Sequence, residues 1–206
     1  MFEHILLKVK IKMEETFNSG DTAWILCSTA FVLLMTLPGL ALFYGGMVKG
    51  KNILACLMQK LSIACLITLL WMCFGYSLAF APTGPDFSSY YTNPFCGDAS
   101  RFWLLGVTAE SRNYIAPRVP EALYCIYQLT FAIIAASLIC GSFADRMKYG
   151  SMLLFMTCWH LFVYCPIAYW SWHPNGFLYK AGNQFLQSSK FASMEDLFKR
   201  KNTRGS

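Results

Sequence analysis

The groups on this chain that could do chemistry are thiols, imidazoles and aromatic rings, and their spacing narrows what that chemistry is. Nine cysteines invite a zinc or disulfide reading. Eight of them (Cys27, Cys56, Cys65, Cys73, Cys125, Cys140, Cys158 and Cys165) fall inside apolar runs, and none belongs to a C-x-x-C pair. Thiols so placed behave as small hydrophobes; only Cys96 lies in a polar stretch. His4, His160 and His173 stand apart from any metal-ligand spacing. There is no H-E-x-x-H, no nucleophile beside a base, no phosphate-cradling glycine loop and no cluster of carboxylates, so neither an enzyme nor a bound metal or cofactor is expected. What remains is aromatic. Tyr127 and Phe131 are spaced i, i+4 and share one helix face, and Trp172 closes a run containing Tyr164, Tyr169 and Trp170. Such rings either pack a core or offer their negative faces to a small cation, an interaction worth about 0.5–2 kcal/mol.

The elements that must position these rings are long and oily. Hydrophobic residues make up 56% of the 206-residue chain and charged residues only 14%, which argues against an ordinary soluble domain or a disordered chain. Four charge-poor stretches, near residues 22–45, 51–81, 122–144 and 149–171, are each long enough to cross the hydrocarbon layer of roughly 30 Å, which takes about 20 helical residues. The expected fold is all-α, a polytopic membrane bundle of about four transmembrane helices. Residues 1–20 read as a leader segment that lacks the uninterrupted apolar core of a signal peptide, and residues 183–206 as a polar tail. The net charge of +6 is spread over Lys8, Lys10, Lys12, Lys49, Lys51, Arg146, Lys148 and the tail cations, without forming a face. It fits attraction to anionic lipid rather than to nucleic acid.

Several local expectations follow. Asp21 is the candidate N-cap of a helix starting near Thr22, and Pro38-Gly39 falls in the middle of that helix, where it would end a helix in water but where neighbours in a bundle can satisfy the freed backbone groups. Residues 81–120 are rich in proline and read as a long extramembrane loop, with a short amphipathic helix around residues 101–107 and with Arg101, Glu110 and Arg112 solvated. His160, inside the fourth span, is expected to hydrogen-bond within the bundle, and His173 to be a wetted interfacial residue. The two tight basic turns, at Lys49-Gly50-Lys51-Asn52 and Asp145-Arg146-Met147-Lys148, are expected to face the cytoplasm. Both termini and the long loop then lie outside.

Four blocks carry a family resemblance. Asp21-Thr22-Ala23-Trp24, Leu37-Pro38-Gly39-Leu40-Ala41-Leu42-Phe43-Tyr44-Gly45-Gly46 and Lys51-Asn52-Ile53-Leu54 make up the first; Trp71 with Gly75-Tyr76-Ser77-Leu78-Ala79-Phe80 the second. Tyr127-Gln128-Leu129-Thr130-Phe131-Ala132 through Gly141-Ser142-Phe143-Ala144-Asp145-Arg146 is the third, and Pro166-Ile167-Ala168-Tyr169-Trp170-Ser171-Trp172 the fourth. In order and without large gaps over residues 21–182, they resemble the ammonium transporter family (Amt/Mep/Rh). The resemblance implies part of an eleven-helix plasma-membrane transporter, trimeric when full-length, whose substrate is ammonium or ammonia. It also implies roles: Phe131 matches the first gate phenylalanine, Trp172 the tryptophan of the aromatic cage, and Tyr127 an aromatic of the outer vestibule.

The sequence departs from that pattern after the fourth span. Ala181-Gly182-Asn183-Gln184-Phe185-Leu186 stands where the family has an aspartate motif followed by a pore histidine, and neither His160 nor His173 matches a pore position. The expectation is an N-terminal portion of the family fold, one incomplete half of an inverted pair, that conducts little by itself. The alternative is a non-conducting membrane subunit that assembles with full-length transporters and modulates them.

Overall fold

The computed structural model describes residues 17–81, 95–113, 115–143 and 146–182. Four long helices dominate: α1 (Ser19–Met47), α2 (Gly50–Phe80), α3 (Glu121–Phe143) and α4, the last continuous through Tyr149–Trp159, His160–Tyr164 and Cys165–Trp172. All four are long and apolar enough to cross a membrane. With 31 residues, α2 extends about 46 Å, longer than the hydrocarbon layer is thick.

α1 begins three residues earlier than its sequence suggests. Asn18 is extended (φ −88°, ψ 115°), and its side-chain oxygen accepts hydrogen bonds from the Gly20 and Asp21 amides at 2.9 and 3.4 Å. Asn18 is therefore the cap, and Asp21 falls in the first turn, where a carboxylate meets the positive end of the helix dipole. Pro38 does not break α1. Its missing N–H is absorbed by a π-turn, Met35–Gly39, which closes with the Leu40 amide donating to the Met35 carbonyl.

Two more π-turns occur, Trp71–Gly75 in α2 and His160–Tyr164 in α4, and they pack against each other. A Cβ on Gly75 would stand 2.8 Å from Trp71 Cε3 and 2.9 Å from His160 Nε2, so only glycine allows the two helices this approach. From here the core spreads along α2 through Ile63, Ile67, Trp71, Tyr76 and Phe80. It meets Ala132, Ile133, Ala136 and Cys140 of α3, and Met152, Met156, Cys165 and Ala168 of α4.

The outer surface is oily. Trp24, Phe31, Leu54, Leu69, Leu154 and Phe162 are all more than 60% exposed. Water does not tolerate so much contiguous apolar surface, and a bilayer does; the chain is a membrane protein. Cys27, Cys65 and Cys158 lie on that outer surface, while Cys56, Cys125, Cys140 and Cys165 are buried, as small hydrophobes at helix contacts are.

The two short turns share one end of the bundle. The Tyr44 hydroxyl at the end of α1 donates to the Leu138 carbonyl near the end of α3 at 3.3 Å. The Tyr149 hydroxyl at the start of α4 donates to Ser62 Oγ in the early part of α2 at 2.6 Å. The α2–α3 connection occupies the other end. Its described portion contains a 3₁₀ stretch, Ala99–Leu104, and a small antiparallel pair, β1 (Arg112–Asn113) with β2 (Ala116–Pro120). The amphipathic helix expected around residues 101–107 does not form, because Trp103 (φ 57°), Leu104 (φ 55°) and Gly106 (φ 74°) all lie in the left-handed region. The residue 183–206 tail, most of the 1–20 leader, His4 and Asp145 lie outside the described residues.

Candidate functional site

At the loop end, the first half of α3 and the last turn of α4 converge on an aromatic recess. Its walls are Ile115, Tyr124, Tyr127, Gln128, Phe131 and Trp172, around a volume of about 350 Å³. Tyr127 and Phe131, one helical turn apart, meet edge to face, with centroids 5.1 Å apart and planes at 80°. Phe131 in turn meets Trp172 at 6.1 Å and 66°. The three rings singled out in the sequence are thus neighbours in one recess.

Trp172 owes its position to Phe80, the last residue of α2. The two rings lie parallel within 8°, with centroids 6.3 Å apart. Phe80 is fully buried, whereas Trp172 is 43% exposed, so one ring is a fixed backing plate and the other faces outward. Tyr124 braces Phe80 at 5.6 Å and 82°, and its hydroxyl accepts a hydrogen bond from Gln128 Nε2 at 3.2 Å. The Gln128 carboxamide therefore has a fixed orientation at the recess wall. Rings and one amide are a fitting set for a small cation that must exchange water for π faces and a neutral oxygen. Phe80, Tyr124, Gln128 and Ile115 were not singled out from sequence. Gln128, a carboxamide inside an apolar run beside Tyr127, carries a signal that could have found it; Phe80 and Ile115 carry none.

The platform around the recess is held by a buried polar network. Glu121, the first residue of α3, is fully buried. Its Oε1 accepts from the Tyr76 hydroxyl at 3.2 Å, and Arg101 Nη2 stands 3.3 Å from Oε2. Asn113 Nδ2 donates to the Tyr76 oxygen at 2.9 Å and to the Phe80 carbonyl at 3.3 Å. Arg101 is therefore an ion-paired clamp and not a solvated charge, because a buried carboxylate requires a cation. Arg112 likewise lies over the Phe17 ring, 4.5 Å from its centroid. Glu110 is exposed, as expected.

His173 also differs from expectation. It is fully buried, its ring stacked on Tyr169 at 4.2 Å, and its Nδ1 accepts from the Asn175 amide at 3.0 Å. Its carbonyl accepts from the Gly176 amide at 2.8 Å, so it organises the turn that ends α4 instead of sitting in interfacial water. His160 is buried within the bundle, with Nε2 3.8 Å from Cys165 Sγ and its ring stacked on Tyr164; Nδ1 has no hydrogen-bond partner among the described residues. The expected hydrogen bonding is met on one side of the ring, by sulfur.

These features define a polytopic helical membrane protein with an aromatic recess at one mouth of the bundle. The sequence model described as Ammonium Transporter Family matches residues 23–193, and the chain belongs to that family. An ammonium transporter of Mycobacterium tuberculosis is 41% identical over 179 residues, covering 80% of this chain and 36% of that protein. One from Bacillus subtilis is 40% identical over 153 residues, covering 74% and 35% respectively. Among solved structures, Candida albicans Mep2 matches with a TM-score of 0.67 at 35% identity, over 80% of this chain and 34% of that one. Saccharomyces cerevisiae Mep2 matches with a TM-score of 0.66 at 27% identity. The chain spans about a third of the length of the relatives it matches.

Proposed function

We propose that this chain forms the entry side of an ammonium transport pathway, with the recess of Tyr127, Phe131 and Trp172 as the place where the cation is first held. The observation that carries the reading is the ring arrangement itself. Trp172 is backed by Phe80 and faces outward, while Phe131 lies beside it and deeper along α3. An ammonium ion resting on Trp172 and Tyr127 loses part of its hydration to π faces and to the Gln128 carboxamide. Phe131 then stands as the barrier it must pass. That assigns Trp172 and Tyr127 to capture and Phe131 to gating. In this reading the basic turns face the cytoplasm, the recess opens outward from the plasma membrane, and trimers form as family resemblance implies.

The chain spans about a third of the length of the transporters it matches, so these 206 residues alone are expected to conduct little. Expression in cells lacking their own ammonium transporters tests this. Growth on limiting ammonium, restored by these residues alone, would show a closed pathway and overturn that expectation.

A second reading rests on α1, of which little is covered. Trp24, Phe31 and Phe43 face outward, and small residues such as Gly46 leave open surface beside them. Such a face suits packing against a full-length relative, as a non-conducting subunit that modulates it. Co-purification with a tagged full-length transporter supports this reading, and consistent failure to co-purify removes it.

A further inference from the structure

Lys60 lies in the middle of an oily wall and is only 3% exposed. Among the described residues no carboxylate stands within ion-pair distance of it. A buried ammonium without acceptors is costly, so what surrounds it must do the work of water. Its Nζ donates to the backbone carbonyl of Ser137 in α3. It also stands over the face of Tyr44 in α1, 3.9 Å from the ring centroid.

The acceptors are held in place independently of the lysine. Tyr44 is anchored by its hydroxyl on the Leu138 carbonyl, and its ring edge lies where a Cβ on Gly141 would sit. The Ser137 carbonyl belongs to a helix and has a second lone pair to offer. Together they form a cup with one π face and one carbonyl oxygen, toward the turn end of the bundle. Along α3 the cup is about 15 Å from the Tyr127 level of the recess, so none of the recess residues takes part.

We propose that the Tyr44 ring face and the Ser137 carbonyl form a second small-cation site, for primary ammonium groups, and that Lys60 fills it as a tethered ligand. The site is thereby self-occupied. Its side chain ties α2 to α1 and α3 at the point where the short turns emerge, and it excludes free cations from the cup. The proposal stands apart from the transport reading, since it concerns different residues at the opposite end of the helices.

The test removes the tether and offers the ligand back. Truncation in K60A leaves a slot of the length of n-propylammonium. In the purified full chain in detergent micelles, saturating propylammonium chloride is expected to raise the unfolding midpoint of K60A by about 5 °C and to leave the unaltered chain in place. Sodium chloride and 1-propanol should do neither. K60M, which fills the slot without a cation, should melt below the unaltered chain. No propylammonium effect, an equal effect of 1-propanol, or a K60M chain at least as stable as the original each overturns the proposal. Should K60A fail to fold, reductive methylation of the unaltered chain decides. Lys60 is expected to react at least about tenfold more slowly than the exposed Lys49 and Lys51, and equal rates would overturn the site.

Discussion

Arg101 Nη2 stands 3.3 Å from Glu121 Oε2, joining the long α2–α3 connection to the first residue of α3. Glu121 is fully buried, and its other oxygen takes the Tyr76 hydroxyl, so this one carboxylate fixes a loop and two helices beneath the aromatic recess. Removing the arginine leaves a buried negative charge without its cation. R101A is expected to destabilise the fold by about 3 kcal/mol or more, read as a fall in the thermal midpoint in detergent. The R101M/E121Q pair, which removes both charges, should recover most of the loss.

The recess makes a separable prediction about binding. Trp172 is backed by Phe80 whether or not a cation is present, so replacing its indole removes a π face without removing a core side chain. W172L, introduced into whatever assembly transports, should weaken methylammonium affinity by about 2- to 30-fold, the range that 0.5–2 kcal/mol implies. F131A should leave capture nearly intact and alter the maximal rate instead. Radiolabelled methylammonium uptake as a function of concentration separates the two; affinity lost equally in both variants would contradict the division of roles.

The contact between the π-turns predicts that two glycines differ sharply. At Gly75 an added methyl group would meet Trp71 and His160 within 3 Å, while at Gly46 nothing lies within 4 Å. G75A is expected to cost about 1–3 kcal/mol by overpacking, and G46A to fall within about 0.5 kcal/mol of the unaltered chain. Thermal midpoints of both variants, prepared side by side, check this.

Much of the architecture was legible because a bilayer imposes a coarse rule: about 20 apolar residues make a span, whatever their order. The four helices and their short basic turns followed from that rule. The Tyr127–Phe131 pair followed from i, i+4 spacing, since neighbours on one helix face meet without help from the rest of the fold. What could not be read depends on partners distant in sequence. Nothing local to Arg101 shows that a proline-rich segment will carry it onto Glu121. Nothing local to His173 shows that it will stack on Tyr169 and close a turn instead of facing water. The π-turns at Trp71–Gly75 and His160–Tyr164 arise from the approach of two helices, which neither sequence encodes alone. Lys60 carried a visible signal, a charge in an oily run, but its acceptors in α1 and α3 did not.

The shared end of the two short turns gives a prediction about sidedness. Tyr44 bonds to the Leu138 carbonyl and Tyr149 to Ser62, so the α1–α2 and α3–α4 turns must open on the same face of the membrane. Lys51 and Arg146 are both exposed there, and Ala109 is exposed in the α2–α3 connection at the other end. Cysteines introduced as K51C and R146C should react with a membrane-impermeant maleimide only in inside-out vesicles or after permeabilisation. A109C should react in intact cells. Native thiols in the spans are shielded by lipid or protein, and a parent chain without the substitutions gives the background. Labelling of K51C and R146C from opposite faces would contradict the bundle itself, since the helices could not then alternate. Labelling of both from outside would preserve the bundle and reverse its orientation, placing the aromatic recess on the cytoplasmic face and overturning its proposed role in capture from the exterior.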